Sequence, residues 1–320
     1  MRNTCLEMVY HLAKRDPRIL FLGSDLGAGT LQQFKDEMPE RFFMEGISEA
    51  HIIGMAAGLA LEGDIPYVST IATFLTRRCF EQLVLDLGLH NVKVRLIGIG
   101  GGLVYAPLGP THEAIDDMAI LRTVPNMTVI APADAEEMRR LMPLTVDHPG
   151  PLYIRVAKGN DPIVTRPEAP FAIGKAVPMR EGADALVVTT GIMLKCALDA
   201  AAALSHDGLE AGILHLPTLK PLDTAALIER MAEVPVVVTI EEHTVIGGLG
   251  SAVAEVIAEA GYAPAKRFKR LGIPDVFPDE YGSQSTLLER YHLTAAHLAA
   301  IVKALAAGQR VSADITAVEG

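Results

Sequence analysis

The sequence of 320 residues is poor in cysteine, in aromatic residues and in positive charge. Its three cysteines, Cys5, Cys79 and Cys196, lack metal-ligand spacing and leave one over if two pair, which predicts a reducing compartment and a cytoplasmic location. Lysine and arginine number 28 against 39 aspartates and glutamates, so the net charge is −11. A nucleic acid or an anionic membrane requires a basic face on its partner, so this charge argues against both.

Sequence motifs for several common sites are also absent. No apolar stretch approaches the roughly 20 residues that a membrane-crossing helix needs. The cluster GIGGGL follows a predicted strand, but the third glycine of the dinucleotide fingerprint is replaced by Leu103. There is no G-x-S-x-G elbow and no H-E-x-x-H pair, so the sequence supports neither a serine hydrolase nor metal catalysis by this chain.

What the sequence does contain is an alternation of short apolar runs with segments of helical periodicity. This alternation predicts an α/β fold with mainly parallel sheets covered by helices. Predicted strands in the first half are RILFLG, RFFME, PYVST, VKVRLIGIG, NMTVIAP and PLYIRV, and those in the second half are DALVVTT, EAGILHL, VPVVVTI and AKRFKRLG. A stretch with several prolines predicts a linker. We therefore expect two doubly wound domains, residues 1–160 and 176–320, joined by a linker at 161–175.

One acidic residue stands out in the segment FMEGISEAHIIGMAAGLALEGDIPYVST. Glu49 lies where an apolar strand ends and a helix rich in alanine and glycine begins, with Ser48 at the expected N-cap position. The pattern predicts a carboxylate at a strand tip, facing a crevice and without a pairing partner. Taken alone, Glu49 is better explained as an ordinary first-turn helix acid.

Four further segments change this interpretation. Together with TIATFLTRRCFEQ and LGPTHEAIDDMAILRTVPNMTVIAPAD, the segment around Glu49 resembles the pyrimidine-binding domain of the transketolase family of thiamine-diphosphate enzymes, which includes 1-deoxyxylulose-5-phosphate synthase. In the second half, VVTTGIMLKCALDAAAAL and TIEEHTVIGGLGSAVAEVI are similar to that family's smaller C-terminal domain. The resemblance covers nearly the whole chain, in order, and implies these two domains.

The resemblance implies roles for five residues. Glu49 matches the glutamate that hydrogen-bonds the cofactor's pyrimidine, so that the cofactor's own amino group becomes the base that forms the reactive carbanion. Phe74 matches the aromatic residue that packs on this ring, and Ile71 occupies the position of a second aromatic residue. His112 matches a histidine that contacts donor hydroxyls and shuttles protons, and Arg155 matches an arginine that binds a substrate phosphate.

Two departures from the family pattern concern the donor. Leu108 stands where transketolases carry an aspartate that holds a donor hydroxyl. Gly100, Gly101 and Gly102 stand where the family places a phosphate-binding side chain. The implied donor pocket is less polar than that of a sugar-phosphate transketolase, which favours a 2-oxo acid or an unusual ketose over xylulose 5-phosphate.

A third departure concerns the metal. The family's G-D-G motif and paired asparagines, which bind Mg²⁺ and the diphosphate, are missing from this sequence. The resemblance therefore implies the small subunit of a split enzyme, with thiamine diphosphate and Mg²⁺ held by a large subunit in an α2β2 heterotetramer. Small-molecule substrates are expected, and no metal ligand from this chain.

Two alternatives stay open at the level of sequence. The chain could be the β subunit of a 2-oxo acid dehydrogenase decarboxylase component, although GPTHE favours the transketolase branch. It could also be a non-catalytic subunit that only stabilises a partner. The presence of Glu49, Phe74 and His112 argues against this last interpretation.

Overall fold

A computed structural model describes residues 1–24, 29, 31–157 and 159–311 of the chain. Within these residues twelve strands form two sheets. The strands are β1 Ile19–Gly23, β2 Phe42–Met44, β3 Ile65–Ile71, β4 Arg95–Ile99, β5 Thr128–Ile130, β6 Leu152–Val156, β7 Val177–Arg180, β8 Ala185–Thr189, β9 Ala211–His215, β10 Thr218–Lys220, β11 Val236–Thr244 and β12 Arg267–Ile273.

Helices connect most of these strands. The α-helices are α1 Arg2–Ala13, α2 Gln32–Glu37, α3 Glu49–Leu61, α4 Ala72–Arg77, α5 Phe80–Gln82, α6 Asp117–Arg122, α7 Ala135–Thr145, α8 Met193–His206, α9 Thr224–Ala232, α10 Leu249–Ala260, α11 Gln284–Arg290 and α12 Ala295–Ala306. Short 3₁₀ turns lie at Pro39–Arg41 and Ala106–Leu108, and a π-helical stretch lies at Leu83–Leu89. Among the described helices, none combines the length and apolar composition needed to cross a membrane.

The first sheet has seven strands in the order β10-β5-β6-β4-β3-β1-β2. Every neighbouring pair is parallel except β10 with β5. Each residue of β1, β3, β4 and β6 is buried, as expected for strands covered by helices on both faces. This explains why these strands are mostly apolar in the sequence.

The second sheet has five strands in the order β12-β11-β8-β9-β7, with only the edge pair β7 and β9 antiparallel. All ten predicted strands are present, which confirms the α/β fold. The two unpredicted strands, β7 and β10, have three or four residues and lie at sheet edges. In β10, a segment from the second half of the chain extends the first sheet.

The linker between the sheets is held by a buried acid at the start of α7. The side chain of Asp134 accepts hydrogen bonds from the backbone N–H of Glu137, at 2.9 Å, and from those of Val164 and Thr165, both at 2.7 Å. Asp134 therefore caps α7 and fixes the path of the linker at the same time.

The parallel strands of the first sheet end at a common edge. Gly23 of β1 is in register with Met44 of β2, and Ile71 of β3 is in register with Ile99 of β4. The loops that follow β2, β3 and β4 therefore emerge side by side, which is where ligands bind in open α/β sheets.

Candidate active site

Glu49 is the first residue of α3 and is only 5% exposed. The chain reaches it from β2 through a turn in which Gly46 has a φ of +70°, a conformation that favours glycine. Ser48 occupies the N-cap position, but its hydroxyl donates to the carbonyl oxygen of Glu45, at 2.9 Å. The expected side-chain cap is thus replaced by a hydrogen bond within the preceding turn.

The prediction that Glu49 has no pairing partner is wrong. Nη1 of Arg78 lies 3.3 Å from Oε2 and 3.4 Å from Oε1 of Glu49. Glu49 precedes β3 in the chain, whereas Arg78 follows both β3 and α4. Their spacing in the sequence therefore did not indicate this ion pair.

Phe74 lies beneath the same guanidinium. The guanidinium carbon of Arg78 is 3.7 Å from the centroid of the Phe74 ring, a cation–π contact between residues four apart. Ile71 is the last residue of β3 and the N-cap residue of α4, which places it one helical turn before Phe74. The two predicted ring-binding residues, Ile71 and Phe74, therefore lie at the same junction between β3 and α4.

His112 approaches Phe74 from the loop that follows β4. The two rings are 5.0 Å apart, centroid to centroid, at an angle of 65°. The hydroxyl of Thr73 donates to the carbonyl oxygen of His112, and Nδ1 of His112 lies 2.9 Å from the hydroxyl oxygen of Thr111. The structure thus brings Glu49, Phe74 and His112 together at the carboxyl edge of the first sheet.

Arg155 is in a different environment. It is buried in β6, and its Nε donates to Oδ2 of Asp117 at 2.9 Å. Its Nη2 donates to the carbonyl oxygens of Ala114 and Glu242, each at 2.9 Å. A role for Arg155 at a substrate phosphate stays a prediction, and the structure gives its guanidinium three partners inside the protein.

The glycines after β4 are explained by this packing. A Cβ atom on Gly101 would lie 2.5 Å from Cγ of Arg155, and one on Gly102 would lie 2.4 Å from Cδ of Glu242. No larger residue fits there without displacing one of these side chains. The glycines allow the loop to pack directly on charged residues of both halves of the chain.

A buried acid next to His112, Glu113, was not among the predicted site residues. Glu113 is fully buried, and neither of its carboxylate oxygens has a hydrogen-bond partner among the described residues. Burial, and to a smaller extent the charge of Glu242, raise the pKa of Glu113 to about 7, against the opposing charge of Arg77. The only sequence signal was its place in the GPTHE segment.

The acids of the EEHTVIGGLG segment have structural partners. The carboxylate of Glu241 accepts hydrogen bonds from the backbone N–H of Leu249 and Gly250, both at 2.7 Å, and so binds the start of α10. Glu242 accepts from the backbone N–H of Leu103 at 2.9 Å and therefore joins the two halves of the chain. Burial raises the pKa of both acids.

Among the described residues, the cysteines and the possible metal ligands form no second candidate site. In the part of the chain that the structure describes, no group of three or more histidine, cysteine, aspartate or glutamate side chains could hold a metal ion. Burial raises the pKa of Cys5, Cys79 and Cys196 to about 12, so their thiolates are scarce at neutral pH.

The two halves of the chain match two different domain families. Residues 1–162 match the pyrimidine-binding domain of transketolase, and residues 174–298 match the transketolase C-terminal domain. The chain belongs to the transketolase family. The first of these matches contains Glu49, Ile71, Phe74 and His112.

Individual transketolase-family relatives differ in length. The chain is 36% identical to a 6-deoxy-6-sulfo-D-fructose transketolase subunit of Clostridium sp., over 92% of this chain and 91% of that subunit. It is 39% identical to 1-deoxy-D-xylulose-5-phosphate synthase of Syntrophotalea carbinolica, over 96% of this chain but only 48% of the synthase. The solved structure of a split-gene transketolase, an inactive β4 tetramer, superposes with a TM-score of 0.86 at 36% identity, over 97% of this chain and 98% of that one.

Proposed function

We propose that the chain is the small subunit of a split thiamine-diphosphate-dependent transferase of the transketolase type. The enzyme transfers a two-carbon ketol or acyl unit from a ketose or 2-oxo acid donor to an aldehyde acceptor. The observation that carries this proposal is the convergence of Glu49, Phe74 and His112 on one edge of the sheet. The near full-length match to relatives named as transketolase subunits supports it.

The residues present fit the aminopyrimidine half of the cofactor. A nearly buried carboxylate, that of Glu49, lies close enough to the Phe74 ring for one flat nitrogen-bearing group to contact both, as the Arg78 guanidinium does. A carboxyl group is suited to share a proton with a weakly basic ring nitrogen. An aromatic face is suited to fix the plane of a heterocycle.

Each side chain then has a defined task. Glu49 holds a proton at the pyrimidine nitrogen, Phe74 sets the ring plane, and Ile71 supplies an apolar wall. Nδ1 of His112 is next to Thr111, which leaves Nε2 to exchange a proton with a donor hydroxyl. Thiamine diphosphate, when bound, would supply the nucleophilic carbon for the transfer.

The remainder of the cofactor site is assigned to a partner. The sequence lacks the G-D-G and asparagine ligands for Mg²⁺ and diphosphate, so a large subunit has to supply them, in an α2β2 assembly. The inactive β4 tetramer formed by the split-gene relative supports the expectation that small subunits alone are incomplete.

The donor is expected to make apolar contacts near His112. Leu108, at the position of the family's hydroxyl-binding aspartate, is 50% exposed on the same loop. An exposed leucine does not hydrogen-bond a sugar hydroxyl, which supports a 2-oxo acid or a less hydroxylated ketose as the donor.

The proposal is tested by co-expressing the chain with a large subunit that carries the G-D-G motif. Ketol formation from a panel of donors is measured with thiamine diphosphate and Mg²⁺. We expect turnover only from the complex, and no tight calorimetric binding of thiamine diphosphate to the isolated chain. Tight binding by the isolated chain would refute the shared site.

The role of Glu49 is tested in the same assay. Glu49→Gln should fold normally by circular dichroism and lower turnover by about 100-fold or more, because the amide cannot hold the proton. Glu259→Gln, at an exposed position on α10, is the matched control and should leave turnover unchanged. Near-normal rates for Glu49→Gln would remove the chemical basis of the proposal.

A further inference from the structure

The guanidinium of Arg78 lies between the two side chains that define the proposed aminopyrimidine site. Its Nη1 is 3.3 Å from Oε2 of Glu49, and its central carbon is 3.7 Å from the centroid of the Phe74 ring. The ion pair and the ring contact are made by one planar group. Arg78 therefore links the acid to the aromatic face.

These two contacts are the ones that the proposed function gives to the cofactor. The aminopyrimidine has to place a nitrogen at Glu49 and a flat ring on Phe74. Two planar groups cannot stack on the same ring face and contact the same carboxylate at once. We infer that Arg78 is a displaceable placeholder, which occupies the aminopyrimidine position until the cofactor binds; this inference rests on the proposed function.

The location of Arg78 allows it to leave. It is the C-cap residue of α4, so its side chain extends from a helix end, and 49% of that side chain is exposed. A half-exposed ion pair and an exposed cation–π contact are each weak. An incoming ligand that supplies both a ring and a hydrogen bond can therefore replace them.

The placeholder also has a physical benefit in the unassembled chain. The Glu49 side chain is 95% buried, and a buried carboxylate without a partner is unfavourable. Arg78 supplies a counter-charge and covers one face of the Phe74 ring. Assembly and cofactor binding would then exchange one set of contacts for another.

The test compares two arginine variants in the complex with the large subunit. Arg78→Ala removes the placeholder, whereas Arg139→Ala removes an arginine of similar exposure, 48%, that pairs with Glu136 away from the site. The dissociation constant of thiamine diphosphate is measured by calorimetry at fixed Mg²⁺. Removing a competing occupant raises the fraction of open sites, so Arg78→Ala should bind about five- to tenfold more tightly. Arg139→Ala should match the wild type.

A second measurement examines the isolated chain. The Nε–H proton of Arg78, observed by NMR, should show a ring-current shift that disappears in Phe74→Leu. This measurement requires neither the large subunit nor an active enzyme. A normal Arg78 resonance that is unaffected by Phe74→Leu would overturn the inference.

The binding results separate two kinds of failure. Equal or weaker binding by Arg78→Ala, in a complex that does bind thiamine diphosphate, overturns the placeholder and leaves the proposed function intact. If no complex binds thiamine diphosphate, the proposed function fails and the placeholder fails with it.

Discussion

Replacing Glu113 by glutamine should change how the stability of the protein depends on pH. The Glu113 side chain is fully buried beside His112, and its carboxylate oxygens have no hydrogen-bond partner in the described residues. Burial and the charge of Glu242 hold its pKa at about 7, against the partly compensating charge of Arg77. Ionising this group in the folded chain is therefore costly.

The magnitude follows from the pKa difference. The pKa of Glu113 rises from its ordinary value of 4.5 to about 7, and each unit is worth about 1.4 kcal/mol. The folded state binds the proton more tightly than the unfolded chain, so the contribution of this group to stability is complete below pH 4.5. It is lost as the pH rises through 7, which lowers the free energy of unfolding by about 3 kcal/mol.

Urea unfolding followed by far-UV circular dichroism tests this, since the chain contains no tryptophan to report by fluorescence. Glu113→Gln is neutral at every pH and should be about 3 kcal/mol more stable than the wild type at pH 8, with little difference at pH 4.5. Glu259→Gln controls for the loss of one exposed acid. Identical pH slopes for Glu113→Gln and Glu259→Gln would refute the assigned pKa.

Two further predictions concern the contribution of buried charged side chains to stability. Arg155→Met should lower the free energy of unfolding, measured in urea, by about 3 to 5 kcal/mol, because it leaves the buried Asp117 without its counter-charge. A decrease of less than about 1 kcal/mol would contradict the stabilising role of the Arg155–Asp117 ion pair. Glu241→Ala should lower the free energy of unfolding by about 1 to 3 kcal/mol in the same assay, because it removes the hydrogen-bond acceptor at the start of α10. Glu259→Ala is the control. Equal stability of these two variants would show that α10 does not depend on the Glu241 carboxylate.

Much of the fold was predictable because strand burial leaves a direct mark on sequence. In the first sheet, β3 and β4 are covered on both faces, so every residue is buried and both strands are mostly apolar. The edge strand β10, Thr218–Lys220, carries no such mark because it is three residues long and partly polar. It exists only because Thr218 lies opposite Ile130 of β5, a contact between distant parts of the chain.

The candidate site also has features that the sequence predicted and features that it did not. The position of Glu49, at the junction of a strand and a helix, could be predicted because it depends on neighbouring residues. Its pairing with Arg78 could not, because that distance is set by how α3 and α4 pack after β3 has crossed the sheet.

The sequence alone determined the succession of strands and helices, the family resemblance, and the placing of Glu49 where a strand ends and a helix begins. These features follow from local periodicity and short motifs. Only the tertiary structure decided that Arg155 is tied to Asp117 inside the protein and that the carboxylate of Glu113 has no hydrogen-bond partner among the described residues. The physical reason is that burial and pairing energies depend on distances between elements far apart in the chain, which no local pattern encodes.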